Sequence, residues 1–446
     1  MGTFIINNAT GFYNQTWQTI NLLIEDGYIR SIVPSIENFN VDAPVIDADH
    51  HFLFPGFVDV HVHLRQPGFS YKETILTGTM AAARGGFTAV CTMPNLDPVP
   101  DDLDSLQVQR DLIQRDSLIH VYPFGSISRG EQGKELSDMD AMAPYVAGFS
   151  DDGVGVRDGE LMKKAMLKAN SLSKLIVAHA EDAELTGGGV IHDGDFARSH
   201  GFKGNPSASE WKQVERDIDL VRATGAGYHV CHVSSKESLD LVRRARLEGL
   251  SVSCETAPHY LCLNDSQLED DGRFRMNPPI RSRQDQLALQ QALIDRTLIC
   301  IATDHAPHSD VEKSGGLAES LNGIVGLETA FPVLYTDLVR TGILTLERLI
   351  ELLTLLPIER FRLDNVIEAK EGPGPAKEIK VGQACDLTLF DLDHPYQIDS
   401  RTFLSKGRAT PFDRKEVYGK CLLTLVAGQT VWQDPNFPIK GKEESR

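Results

Sequence analysis

The chain has 446 residues and a formal net charge of −19, with 41% hydrophobic and 24% charged residues. That length buries an ample core for one large domain and a smaller one, and the balance is that of a globular protein rather than a disordered or membrane one. The acidic excess argues against nucleic acid and anionic membrane as partners, because both need basic patches, and it obliges any anionic ligand to find a local cation.

The seven cysteines form an odd, scattered set without C-x-x-C spacing. Four of them sit in apolar strand-like runs and read there as reduced small hydrophobes, which suits the cytoplasm. No basic stretch leading into an apolar run opens the sequence, and no uncharged apolar span is long enough for a bilayer, so neither a leader nor a membrane segment is expected. Gly2 begins like a myristoylation site, but Ile6 stands where Ser or Thr is needed. The sequons at Asn8 and Asn14 read as chance matches.

In chain order, residues 1–54 predict short strands: Thr3–Ile6, Thr19–Ile24 and Tyr28–Val33, the last two joined by a turn at Glu25-Asp26-Gly27. From Pro55 the pattern becomes strand, loop, helix, repeated. Its strands are expected at Phe57–Arg65, Phe87–Thr92, Leu118–Tyr122, Tyr145–Phe149, Lys174–His179, Tyr228–Val233, Leu250–Cys254 and Leu298–Asp304. Helices are expected at Tyr71–Arg84, Asp102–Arg115, Glu210–Ala223 and Ser235–Glu248. Roughly eight such units predict a closed (β/α)8 barrel over 55–375, with its active site at the C-terminal strand ends. A doubly wound open sheet is the competing fold, but the glycine-rich phosphate turn it favours after the first strand is missing. Gly372-Pro373-Gly374-Pro375 reads as a linker. Beyond it, Cys385–Phe390 and Cys421–Val426 return to strand character, so 1–54 and 376–446 are expected to form a small β-sandwich-like domain together.

The polar residues fall where such a barrel would use them. His61 and His63, two apart in a strand, project to one face and can share a metal ion. His179, His232 and Asp304 end later strands and complete a ligand set that suits zinc. Asp152, in Ser150-Asp151-Asp152-Gly153, adds a carboxylate able to bridge two ions. Two zinc ions sharing a hydroxide make a strong nucleophile at neutral pH.

The stretch Asp59-Val60-His61-Val62-His63-Leu64-Arg65-Gln66-Pro67-Gly68 resembles the opening motif of the dihydroorotases, in the cyclic amidohydrolase superfamily. So do Met93-Pro94-Asn95, Asp151-Asp152-Gly153, His232-Val233-Ser234-Ser235, Phe274–Pro279, Ala302–Ser309 and Gly323–Glu328. The likeness is to the long bacterial (type I) form. It implies reversible cyclisation of N-carbamoyl-L-aspartate to L-dihydroorotate and water, in pyrimidine biosynthesis. It also implies one zinc on His61, His63 and Asp304 and another on His179 and His232, with Asp152 and a hydroxide bridging, and one or two ions bound. Asp304 would be the catalytic proton carrier. His63, Arg65, Asn95, Asn277, His308, Asn322 and Gly323 would meet the anionic substrate, under a lid at Ser309–Leu321. A homodimer and an association with aspartate transcarbamoylase are compatible with the family.

Three positions depart from the family pattern: Gln66 where Glu is frequent, Leu96 where Thr commonly follows the Asn, and Ser320-Leu321-Asn322. Asp152 replaces the carboxylated lysine of many relatives. A hydantoinase or allantoinase is the rival enzyme, opposed by Arg65 and Asp152. A catalytically silent scaffold barrel is the rival non-enzyme, opposed by the intact ligand set.

Overall fold

The computed structural model describes residues 2–39, 41–370 and 372–438. The first strands are β1 (Phe4–Tyr13), β2 (Thr16–Glu25), β3 (Tyr28–Val33), β4 (Val45–Asp47) and β5 (Phe52–Pro55). β1 outruns the expected Thr3–Ile6 because its register with β2 shifts between Ile6 and Ala9, and Asn8 takes φ 54 there. A bulge of this kind lets the strand continue through the Asn-Asn pair at 7–8.

The barrel strands are β6 (Phe57–Val62), β7 (Phe87–Thr92), β8 (His120–Pro123, resuming at Gly125–Ser126), β9 (Gly148–Ser150), β10 (Leu175–Ala178), β11 (Gly227–Val230), β12 (Val252–Thr256) and β13 (Cys300–Ile301). Neighbours run parallel throughout. The ring closes where Val62 pairs with His305 and the His63 N–H donates to His305 O at 2.8 Å. The barrel is therefore closed, and the open-sheet alternative falls. Every residue of β6, β7 and β8 is buried, as parallel strands covered on both faces must be.

Element ends follow local chemistry. The first barrel helix starts at Ile75 rather than Tyr71, because Thr74 caps it by accepting from the Thr77 N–H. Likewise Asp102 caps Leu103–Asp116. The strand expected from Tyr145 begins only at Gly148, since Pro144 sits in a helical turn over Ala143–Tyr145.

Three further strands, β14 (Leu387–Asp391), β15 (Lys420–Val426) and β16 (Gln429–Gln433), return to the amino-terminal sheet. Its order is β16-β15-β14-β5-β1-β2-β3, with β4 beside β1. β14 lies antiparallel to β5, Leu387 opposite Pro55 and Phe390 opposite Phe52. Both ends of the chain thus build one sheet over a core that includes Ile6, Leu22, Leu53, Leu387 and Leu425. Aromatic packing joins it to the barrel, with Phe390 stacked 5.4 Å from Phe57 and tilted 4.4 Å from Phe331. Among the described residues no helix is long and apolar enough to cross a membrane.

Candidate metal centre and substrate cavity

His61 and His63 sit at the end of β6, both buried. Asp152 stands two residues after β9, and His179 directly follows β10. The strands read as reaching Val233 and Asp304 stop at Val230 and Ile301, so His232 and Asp304 stand in loops. Arg65, His232 and Asp304 hold left-handed backbones, with φ of 59, 33 and 48. Such strain costs on the order of 1–3 kcal/mol per residue and persists where a site dictates side-chain position.

The donor atoms converge in two overlapping sets. His61 Nε2 lies 3.4 Å from Asp152 Oδ1 and 3.7 Å from Asp304 Oδ1. His63 Nε2 lies 3.6 Å from Asp152 Oδ2 and 3.2 Å from Asp304 Oδ1. On the other side Asp152 Oδ1 is 3.8 Å from both His179 Nδ1 and His232 Nε2, which are 3.2 Å apart. Asp152 lies between the two sets, and His61 also comes within 4.8 Å of ligand atoms on both sides, with His63 and Asp304 on one and with Asp152 and His232 on the other. Ligands about 2.0–2.2 Å from one zinc stand about 3.3–3.6 Å from each other in a tetrahedron, so the spacing fits a metal. His61 Nε2 and Asp152 Oδ1 are also buried without a hydrogen-bond partner. Polar atoms so placed need a cation or a donor between them.

Burial opposes charge on His61, His63, His179, Asp152 and Asp304. The histidines nevertheless hold Asp152 and Asp304 well below the ordinary carboxylate range. Asp152 in turn lifts His61, whereas for His63 burial wins and its proton affinity falls. Both carboxylates are therefore ionised acceptors.

Asp151 faces elsewhere. Its Oδ1 accepts from the Ile127 and Ser128 N–H groups at 2.7 and 3.0 Å, and its Oδ2 from the Ser128 hydroxyl. Gly153, at φ 80, supplies the turn that separates the two aspartates.

A cavity of about 170 Å³ opens above the cluster, lined by His63, Arg65, Asn95, Asp152, His179, His232, Asn277, Asp304, His308, Asn322 and Gly323. His61 lies beneath it. Asn95 Oδ1 accepts from His63 Nδ1 at 2.9 Å, which leaves Nε2 for the metal side. Arg65 Nε donates to Pro307 O at 3.2 Å, and its guanidinium lies 3.4 Å from His308 Nε2. His308 donates from Nε2 to Asn322 O at 2.8 Å and accepts at Nδ1 from Lys72 Nζ at 3.2 Å. Burial, then Arg65 and Lys72, push its pKa down to about 3, so it is neutral. Asn277 Nδ2 donates to Glu181 Oε2 at 3.1 Å. Gly323 has φ 133, and a Cβ there would lie 2.6 Å from Ala306 O, so no other residue fits.

The segment read as a lid, Ser309–Leu321, packs down through Lys313, whose Nζ donates to Leu321 O at 2.7 Å and Arg275 O at 2.9 Å. Gln66 accepts from the Ile75 N–H and so secures a helix start, and Leu96 is buried.

Sequence reading missed Asp59, Lys72, Glu181 and Glu255. Asp59 and Glu255 did carry a signal. Each is an acidic residue in a fully buried strand, and such a group needs a partner.

The chain is similar to known proteins along nearly its whole length. Residues 50–238 match the "Dihydro-orotase-like" family model. It is 45% identical to a protein of a Geobacillus species named Dihydroorotase, across 98% of this chain and 99% of that protein. Proteins of the same name from Bacillus cytotoxicus and Staphylococcus aureus are each 44% identical, across 93% and 96% of this chain and 94% and 99% of theirs. Among solved structures, the L-hydantoinase (dihydropyrimidinase) of Arthrobacter aurescens superposes with a TM-score of 0.85 at 24% identity, across 97% of this chain and 96% of that one. The dihydropyrimidinase of Brevibacillus agri does so at 0.82 and 23%, across 98% and 96%. The solved structures speak for the fold alone. With relatives this close over this length, the chain belongs to the dihydroorotase family.

Proposed function

We propose that this chain is a zinc-dependent dihydroorotase of the long bacterial type, which interconverts N-carbamoyl-L-aspartate with L-dihydroorotate and water. The observation that carries the reading is Asp152. Its two oxygens face two histidine sets at 3.4–3.8 Å, beside a buried arginine in the same cavity.

His61, His63 and Asp304 would hold one ion and His179 and His232 the other, with Asp152 shared between them. Zinc bound there lowers the pKa of water and polarises the carbonyl. The protein's own part begins with Arg65, the local cation for the substrate carboxylate, assisted by Asn95 and neutral His308. Asn277 and the backbone at Asn322 and Gly323 orient the ring. In ring opening, ionised Asp304 takes a proton from the attacking water, and the water oxygen joins the acyl carbon. The bond from that carbon to the ring nitrogen breaks, and the same proton passes to the nitrogen. The new carboxylic acid then ionises. Closure runs in reverse and consumes one proton.

The seven free, buried cysteines support a reducing, cytoplasmic setting. Metal analysis of the purified protein, with turnover of dihydroorotate, hydantoin and allantoin side by side, tests the reading. Two zinc ions per chain and turnover confined to dihydroorotate are expected. Preference for hydantoin or allantoin, or turnover without metal, would overturn it.

A further inference from the structure

At the opposite, N-terminal end of the barrel strands lies a larger cavity, of about 440 Å³. It opens where β10 and β11 begin, and it takes one wall from the helix Leu355–Phe361 and the residue after it. Its volume is in the range of small-molecule sites.

Three cations line it: Lys174, Arg360 and Arg362. Their hydrogen bonds go to neutral acceptors. Lys174 Nζ donates to Val146 O at 2.7 Å, and Arg360 donates to Ser253 Oγ at 2.6 Å and Tyr228 O at 2.9 Å. Among the described residues, no carboxylate pairs with any of the three. Burial lowers the Lys174 pKa to about 8 with Arg362 adding to the effect, and burial with Arg246 and Arg362 lowers Arg360 to about 10. In a chain of net charge −19, this concentration of unpaired positive charge is selective for an anion. Pro144, Leu172 and Phe361 supply an apolar wall beside it, suited to a flat organic group.

The cavity is also connected to the metal centre. Arg360 holds Ser253 Oγ, which lies 2.7 Å from His229 Nδ1. His229 Nε2 lies 3.1 Å from Glu255 Oε2, and the other oxygen of Glu255 meets His61 Nδ1. Four hydrogen bonds thus run through the barrel interior from Arg360 to a proposed metal ligand.

We propose that this basal cavity is a second ligand site, for a phosphate monoester of about nucleotide size, and that its occupancy is transmitted to His61 along this chain. Lys174 and Arg362 meet the phosphate. Arg360 shifts with the bound ligand and alters how Glu255 holds the imidazole. The binding claim does not depend on the reaction assigned above.

The test is calorimetric titration of the zinc-loaded protein with adenosine monophosphate, whose purine does not mimic a small cyclic amide. Saturable binding is expected to persist in saturating N-carbamoyl-L-aspartate, with its affinity changed there by no more than the factor by which adenosine monophosphate changes the substrate's own affinity. It should be retained in Arg65→Met, weakened about tenfold or more in Arg362→Ala and in Lys174→Met, and absent for adenosine. Arg362 is exposed, so its replacement leaves the fold and the basal turnover as they were. Adenosine monophosphate should also change kcat or KM in the parent protein but not in Arg362→Ala. Absence of saturable binding in the millimolar range, displacement by the substrate, or undiminished binding to Arg362→Ala would overturn the site. Binding without any kinetic effect would overturn the coupling.

Discussion

Glu255 Oε1 lies 2.9 Å from Nδ1 of His61, 194 residues away in sequence and with neither side chain exposed to solvent. The same carboxylate meets His229 at 3.1 Å, and the two imidazoles hold its pKa down to about 2 against the effect of burial. An ionised carboxylate on Nδ1 keeps the proton there and presents Nε2 to the cavity side, the arrangement typical of a metal-ligating histidine.

Glu255→Gln is therefore expected to weaken metal affinity by about 10–100-fold, the usual cost of losing such an outer partner. Competition with a zinc chelator measures it directly. Turnover at saturating zinc should fall as well, because Glu255 sets the orientation of His61 in the loaded centre although it touches no substrate. Unchanged affinity would mean that packing alone orients His61.

The two neighbouring aspartates should separate cleanly. Asp152→Ala should lose at least one metal ion and nearly all turnover, since this carboxylate lies within 3.4–3.8 Å of His61, His63, His179 and His232 together. Asp151→Ala should keep both ions and lose stability by about 1–3 kcal/mol for the Ser128 N–H left without an acceptor, while the Ile127 N–H keeps Ser150 O. Purification without bicarbonate should leave activity intact, because an aspartate bridge needs no carboxylation. A bicarbonate requirement, or metal loss in Asp151→Ala, contradicts the assignment.

Arg65→Met probes the substrate carboxylate. A charge-assisted contact is worth roughly 1.5–3 kcal/mol, so KM for dihydroorotate should rise about 10- to 150-fold with zinc content unchanged. Because the His308 pKa is pushed down to about 3, replacing His308 by Asn should leave the shape of the affinity profile between pH 5 and 8 unchanged. Loss of zinc with unchanged KM would assign Arg65 a structural role.

His120 offers a stability test remote from the metal centre. It bridges Glu368 at 2.8 Å and Asp386 at 3.1 Å. Burial opposes its charge, but the two carboxylates outweigh burial and raise its pKa from 6.5 to about 10. Between those values the folded state keeps a proton that the unfolded state has lost. The stabilisation is complete below about pH 6.5 and declines as pH rises towards 10, by about 1.4 kcal/mol per pH unit at most. Urea melts of the parent should fall along that slope relative to His120→Gln. Parallel pH profiles would show that His120 folds neutral.

Much of this molecule is legible in one dimension. Local rules act within a few residues, so the alternation of buried strands and capped helices predicts the barrel. Strand geometry puts His61 and His63 on one face, and family motifs mark the polar residues at the strand ends. Periodicity, however, states which way a side chain points and not what it meets. Asp151 and Asp152 differ only in whether backbone N–H groups or histidines await them, and those partners come from other strands. The contact of Glu255 with His61, the clamp on His120, the pairing of β14 with β5 and the three cations of the basal cavity join segments up to hundreds of residues apart. They exist only once the barrel has closed, because in a folded chain buried charges are set by neighbours in space rather than in sequence.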